Sequence, residues 1–134
     1  MTNRPVFNVK FNHLALQVKD IPATNNFYLN VLGLTPVTVP DDLKKIRAWF
    51  DIGNGQQLHF LAGRTFKVNN DRNGSHLCLF VDSIASAKKY LSETKISFHE
   101  QIRFDGVIQI YFEDPDGYLI EFQQKQPAKP TSKK

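Results

Sequence analysis

The stretch His13-Leu-Ala-Leu-Gln-Val18 returns later in the chain as His76-Leu-Cys-Leu-Phe-Val81. The two stretches share histidine at the first position, leucine at the second and fourth, and valine at the sixth. The ends of the two copies also correspond, because Leu58-His59-Phe60 aligns with Ile120-Glu121-Phe122. Two copies with so long a period are too few for a solenoid, so the repeat indicates one duplicated module.

Each copy has the same predicted order of one strand, one helix and three strands. The stretch from Phe11 to Val18 alternates between polar and apolar residues, which is typical of a strand. Asp20 can cap a helix from about Pro22 to Leu32, and Gly33 can end it. The order predicts an α+β fold of two βαβββ modules. The other predicted elements are strands over 34–39, 46–52, 57–61, 76–81, 98–104, 107–113 and 118–123, and a helix over 84–95.

The composition is that of a soluble globular protein, with 134 residues, 41% hydrophobic and 22% charged. The net charge of +4 belongs to residues 125–134, which hold four Lys and no acid. The rest of the chain has equal numbers of acidic and basic residues, which argues against nucleic-acid binding. We predict one domain over 1–124, with module 1 at about 9–62 and module 2 at about 74–124. A disordered basic tail over 125–134 would follow it.

No apolar run reaches the roughly 18 residues that a membrane-spanning helix needs, so we expect no membrane association. The first ten residues lack the apolar region of a signal peptide. Cys78 is the single cysteine and cannot form an internal disulfide. Because it stands in an apolar strand, we predict a buried, inert thiol. These features favour a cytoplasmic protein.

Four residues at repeat-equivalent strand positions are candidate metal ligands: His13, His59, His76 and Glu121. His59 and Glu121 are each flanked by two apolar residues, so alternation puts the candidate ligand on the opposite face of its strand. Three imidazoles and a carboxylate suit one divalent metal, which could be Zn, Ni, Fe(II), Mn or Co. The alternative is that they are ordinary polar residues on a solvated face. His99 aligns with Val37 and is predicted to be an ordinary surface histidine.

The paired modules have distinctive ends. They open with Asn12-His13-Leu-Ala-Leu and Ser75-His76-Leu-Cys-Leu, and the second closes with Phe112-Glu-Asp-Pro-Asp-Gly-Tyr-Leu-Ile-Glu-Phe122. Over about residues 9–124 the chain resembles the vicinal oxygen chelate superfamily. That superfamily includes glyoxalase I, methylmalonyl-CoA epimerase, extradiol dioxygenases, fosfomycin-resistance thiol transferases and a metal-free bleomycin-binding branch. The resemblance implies a half-open, eight-stranded mixed sheet around a metal, with the four candidate ligands in its ligand positions.

The resemblance also implies a reaction type, in which the metal chelates two adjacent oxygens of a small substrate and acts as a Lewis acid. We expect a glyoxalase-like lyase or isomerase, with Glu121 as ligand and base and His59 as a second catalytic residue. Glyoxalase I has Glu in the position of His59. The alternatives are an extradiol-type dioxygenase with His13, His76 and Glu121 as its triad, a thiol transferase, or a non-catalytic small-ligand binding or resistance protein. Tyr111, ten residues before Glu121, favours the thiol transferase.

Candidate substrate-binding residues lie on the third strand of each module. Trp49 and Tyr111 are repeat equivalents, as are Arg47 and Gln109. Whether Trp49, Tyr111 and Arg47 face the metal depends on strand register, because a slip of one residue reverses every face. Core packing is the alternative for the two aromatic residues. The resemblance further implies a homodimer in which the ligands are shared between chains or supplied by each chain alone.

Overall fold

The computed structural model describes residues 3–126, which form two compact units divided between Phe66 and Lys67. Both units have the predicted order of one strand, one helix and three strands. The first unit consists of β1 (His13–Val18), α1 (Ile21–Asn25), β2 (Thr35–Val37), β3 (Arg47–Gly53) and β4 (Gln56–Ala62). The second consists of β5 (Leu77–Val81), α2 (Ile84–Glu93), β6 (His99–Ile102), β7 (Ile108–Glu113) and β8 (Leu119–Gln124).

Each unit contains one four-stranded mixed sheet. The strand order is β1-β4-β3-β2 in the first unit and β5-β8-β7-β6 in the second. The first and last strands of each unit are parallel, and the other neighbours are antiparallel. A helix between the first two strands supplies the crossover that a parallel pair needs. The predicted α+β class and the duplicated βαβββ module are confirmed.

The first strand shows why the two faces of each sheet differ. In β1, Val18 is buried and Leu14 and Leu16 are half-buried, whereas His13 and the other residues of the opposite face are exposed. Alternating side chains produce this division, since successive residues of a strand point to opposite faces. Each sheet therefore has an apolar face for the core and a polar face that carries the candidate ligands.

The first helix begins as predicted and then widens. Asp20 accepts a hydrogen bond from the backbone N–H of Ala23, which caps α1. From Asn26–Val31 the chain continues as a π-helix, where an α-helix had been predicted. Asn25 and Asn26 at the junction are weak helix formers, which lowers the cost of leaving the α conformation. The wider turn keeps Phe27 and Tyr28 buried although they are consecutive.

The core of each unit is built from the apolar faces of its own strands and helix. In the first unit, Tyr28 packs between Phe50 and Phe60, with ring centroids 5.9 Å and 4.4 Å away. In the second unit, Ile110, Phe112, Ile120 and Leu91 are buried almost completely. Aromatic side chains bury large areas, which suits Tyr28, Phe50 and Phe60 to the core of the first unit.

Lys125, the first residue of the predicted tail, directly follows β8 and still bonds to the neighbouring strand. Its backbone N–H donates to the carbonyl oxygen of Val81 at 2.8 Å. Residues 127–134, the rest of the predicted tail, lie outside the described residues. None of the helices among residues 3–126 has the length and apolar character to cross a membrane.

Candidate functional site

In the first unit the structure brings His13 and His59 together. Their rings are stacked with centroids 4.1 Å apart and an angle of 17° between planes. His59 Nε2 lies 2.8 Å from the side-chain oxygen of Gln57, and His13 Nδ1 lies 2.6 Å from that of Asn12. Desolvation and then the neighbouring His13 lower the pKa of His59. Both effects favour the neutral imidazole, which is the form that binds metals.

In the second unit the structure brings His76 and Glu121 together. His76 Nε2 lies 2.9 Å from Glu121 Oε1. The other ring nitrogen, Nδ1, lies 3.1 Å from the carbonyl oxygen of Gly74, which can only accept a hydrogen bond. The ionised carboxylate of Glu121 also accepts only, so His76 donates to it from Nε2. Metal-binding histidines are commonly oriented by such a bond to a backbone carbonyl.

Glu121 is buried, with 2% of its surface exposed, and has several hydrogen-bond donors. Gln109 and Gln123 donate to Oε2 at 3.0 Å and 2.6 Å. Burial would raise the pKa of the carboxyl, but hydrogen bonds from Gln123, Gln109, Tyr111 and His76 outweigh it and lower the pKa. Glu121 is therefore ionised at neutral pH. A buried carboxylate of this kind requires partners of opposite polarity, which a cation and these donors supply.

The strand register places the aromatic candidates on the same faces as the ligands. Trp49 lies directly opposite His59, and Tyr111 lies directly opposite Glu121. The Trp49 and His59 rings are stacked with centroids 5.1 Å apart, whereas Tyr111 contacts His76 edge-on at 5.6 Å. Tyr111 is nevertheless buried, with 4% of its surface exposed, whereas Trp49 is half-buried, so core packing stays an alternative for Tyr111.

Arg47 lies on the same strand face as Trp49, two residues away, opposite Leu61. Its guanidinium Nη1 donates to the carbonyl oxygen of Ile46 at 2.9 Å. The guanidinium of Arg47 thus bonds to the backbone of the residue directly before its own strand. Its predicted contact with substrate stays a prediction.

The donor set fits a divalent metal, since it combines neutral imidazoles with an ionised carboxylate and no thiolate. Each unit supplies two of the four donors. Among residues 3–126, no group of three or more His, Cys, Asp or Glu side chains is gathered in a metal-binding arrangement. The convergence of His13, His59, His76 and Glu121 on one metal therefore stays a prediction.

The prediction of a buried Cys78 was wrong, because the structure shows this residue exposed. Cys78 lies on β5 two residues after His76 and directly opposite Glu121, so it belongs to the ligand face. Desolvation and the neighbouring charge of Glu121 raise the pKa of the thiol to about 12. The thiol is therefore protonated at neutral pH, and a protonated thiol is a poor nucleophile.

Sequence reasoning missed a row of polar residues on the ligand face of the second unit. His99 lies opposite Tyr111, and Gln101 lies opposite Gln109. Arg72, from the segment before β5, donates to both His99 and Gln101. The alternation of β6 could have indicated this row, because His99 and Gln101 are two residues apart and therefore share a face of the strand.

An open cleft of about 730 Å³ lies in the second unit beside this row. It has both polar and apolar walls, as small-molecule sites commonly do. The residues around it come from the segment before β5, from the start of β6 and from the facing ends of β7 and β8. They are Asn70, Asp71, Arg72, Ile96, Ser97, Phe98, His99, Tyr111, Phe112, Glu113, Asp114 and Leu119.

The sequence from residue 10 to 122 matches the family described as the Glyoxalase/Bleomycin resistance protein/Dioxygenase superfamily. A protein from Arabidopsis thaliana named glyoxylase I 4 is 28% identical, over 87% of this chain and 71% of the relative. A mitochondrial methylmalonyl-CoA epimerase from Bos taurus is 32% identical, over 90% of this chain and 77% of the relative. The crystal structure of a glyoxalase/dioxygenase from Nostoc punctiforme is similar, with a TM-score of 0.75 at 25% identity. That alignment covers 95% of this chain and 98% of the other.

Proposed function

This chain belongs to the Glyoxalase/Bleomycin resistance protein/Dioxygenase superfamily, and we propose that it is a metal-dependent, glyoxalase-like lyase or isomerase. Its substrate would be a small molecule chelated through two adjacent oxygens. The names of the relatives support this class, since one is a glyoxylase I and another a methylmalonyl-CoA epimerase. The observation that carries the proposal is the ionised, buried Glu121 beside His76 on a polar sheet face.

His13, His59, His76 and Glu121 would hold one divalent metal: Zn, Ni, Fe(II), Mn or Co. When bound, the metal would supply Lewis-acid stabilisation of negative charge that develops on the substrate oxygens. Two observations support the ligand set. Both pairs lie on the polar faces of their sheets at equivalent strand positions, and His59 is held neutral.

The chain's own residues would move the proton. Glu121 Oε1 faces His76, while Oε2 is held by Gln109 and Gln123. An ionised carboxylate held in one orientation can accept a proton from a carbon next to a carbonyl group, as a general base does. His59, whose lowered pKa keeps it neutral, would be the second acid–base group. Tyr111 and Trp49 would position the substrate, with Arg47 as a further candidate.

The competing proposal is a non-catalytic protein that binds a small molecule on the same face. It would share the fold and the polar face but show no turnover. We also propose a homodimer in the cytoplasm, on the basis of the resemblance and of the single cysteine. An extradiol-type dioxygenase or a thiol transferase would use the same face. The first would need oxygen as its second substrate and the other a thiol, so the assay must include oxygen and a thiol.

Elemental analysis and a turnover panel test the proposed function together. Protein purified without chelator should contain close to one metal per chain, and His76→Ala should lose most of it. His99→Ala is the matched control, because it removes a histidine of the same unit that lies outside the proposed ligand set. The panel should offer a dicarbonyl–thiol adduct, an epimerisable thioester, a catechol with oxygen and an epoxide with a thiol. Equal metal content in His76→Ala and wild type would refute the ligand set, and metal without turnover would favour the binding protein.

A further inference from the structure

Arg72 is held in place by an imidazole and an amide side chain. Its Nη1 donates to His99 Nε2 at 2.7 Å and to the side-chain oxygen of Gln101. An arginine side chain has five N–H donors in a rigid planar fork and is always charged. The two bonds use Nη1 alone, which leaves the donors of Nε and Nη2. Within residues 3–126, Arg72 forms no ion pair with a carboxylate.

Arg103 of the same unit shows the contrasting arrangement. Its Nε and Nη2 donate to the two carboxylate oxygens of Asp105, at 2.8 Å and 2.7 Å. That bidentate pair neutralises the guanidinium and occupies its fork. The charge of Arg103 is thus compensated by Asp105, whereas the charge of Arg72 is available to a ligand.

None of the three acids that line the same cleft forms an ion pair with Arg72. Asp71 accepts a hydrogen bond from the backbone N–H of Asn73 at 2.8 Å. Asp114 accepts from two backbone N–H groups, each at 2.9 Å. Glu113 is exposed and forms no ion pair with Arg72. Two of the three carboxylates are therefore engaged in their own turns, while the guanidinium faces the cleft.

Two glutamine amides connect Arg72 to Glu121. Gln101 accepts from Arg72 and donates to the side-chain oxygen of Gln109 at 3.0 Å. Gln109 in turn donates to Glu121 Oε2 at 3.0 Å. The row therefore has a cation at one end and the buried carboxylate at the other, along one sheet face. A molecule that lies on this face can contact both ends.

We propose that Arg72, oriented by His99 and Gln101, binds an oxyanionic group of the substrate, a carboxylate or a phosphate. The proposal rests on the proposed function, in which the adjacent oxygens react at the Glu121 end of the same face. The substrate is then a small acid with two adjacent oxygens at one end and its anionic group at the other. A preoriented guanidinium recognises such a group by two parallel hydrogen bonds.

Titration of the protein as purified with acetate, and separately with inorganic phosphate, tests this subsite by nuclear magnetic resonance. The Arg72 Nε–H signal should shift saturably in the wild type, together with signals of His99 and Tyr111. The tighter of the two probes identifies the kind of oxyanion. Because the signal is read in the wild type, the test does not depend on the folding of a variant. The absence of a saturable shift with both probes would overturn the proposal.

Variants then assign the binding to Arg72. R72Q should weaken binding of the better probe by about tenfold or more, since it removes the charge and the fork. R103Q is the matched control, because its arginine is already paired with Asp105, and it should bind as the wild type does. E113Q, which removes a negative charge from the cleft, should bind more tightly. Equal binding by R72Q and wild type would refute the assignment.

The two proposals fail in different ways. Binding of the probe by a protein that holds no metal and turns over no substrate would reject the proposed function and keep the subsite. Turnover of an acidic substrate with the same KM in wild type and R72Q would keep the proposed function and reject the subsite. The subsite predicts instead that R72Q raises KM for an acidic substrate by about tenfold, with little change for its neutral ester.

Discussion

Trp49 and Tyr111 occupy the same place in the two units, each directly opposite a candidate metal ligand on the neighbouring strand. Their chemistry differs, because the indole stacks on His59 whereas Tyr111 helps to lower the pKa of Glu121. The duplicated fold therefore supplies two equivalent positions, and only the residue in the second unit, Tyr111, lowers the pKa of a carboxylate.

Replacing Tyr111 with Phe removes the hydroxyl group that helps to lower the pKa of Glu121. The pKa of Glu121 should rise, so the loss of activity on acidification should begin at a higher pH than in the wild type. We expect kcat/KM at neutral pH to fall about tenfold, which is usual for loss of a partner of a metal ligand. The check is the pH dependence of kcat/KM. Trp49→Phe is the control, and an equal displacement of its acidic limb would contradict this explanation.

Removal of Phe60 should destabilise the first unit strongly. Phe60 has 0% of its surface exposed and packs against Tyr28 and Phe50. Phe60→Ala leaves a cavity and should lower the free energy of unfolding by about 3–5 kcal/mol. Phe66, with 48% of its surface exposed, is the matched control, and its substitution by Ala should cost about 0.5 kcal/mol or less. Urea denaturation measures both, and similar losses would show that the core has been assigned wrongly.

Mixed dimers can reveal whether ligands are shared between chains. His13→Ala and Glu121→Ala change different units, so shared sites would leave one intact site in each mixed dimer. Refolding the two variants together should restore metal binding and activity in part. His76→Ala mixed with Glu121→Ala is the control, because both changes fall in the second unit and no mixed dimer regains a site. A monomer mass by light scattering, or no recovery in the first mixture, would rule out sharing.

Removal of residues 127–134 should leave the fold unchanged. These residues contain no apolar periodicity and lie beyond Lys125, whose N–H still bonds to Val81. Truncation after Gln126 should therefore change the melting temperature by about two degrees or less. Differential scanning calorimetry is the measurement. A larger loss would mean that these residues contribute to the packed protein.

The sequence by itself determined the order of elements and the face of each strand. Repetition identified the two modules, and alternation placed His13, His59, His76 and Glu121 on faces opposite the core, because both signals depend only on neighbours in the chain. Asp20 predicted the start of the first helix, because an N-cap is also a local feature of the sequence. The exposed position of Cys78 was also implicit in this alternation, since it shares a face with His76.

Only the tertiary structure decided which side chains of different strands and segments contact each other. The pairing of Trp49 with His59 depends on strand register, which hydrogen bonds between strands determine. The widening of the first helix after Asn25 depends on burial of Phe27 and Tyr28 together. The contact of Arg72 with His99 joins residues from separate elements. Such contacts arise when the chain folds back on itself, so periodicity along the sequence carries no trace of them.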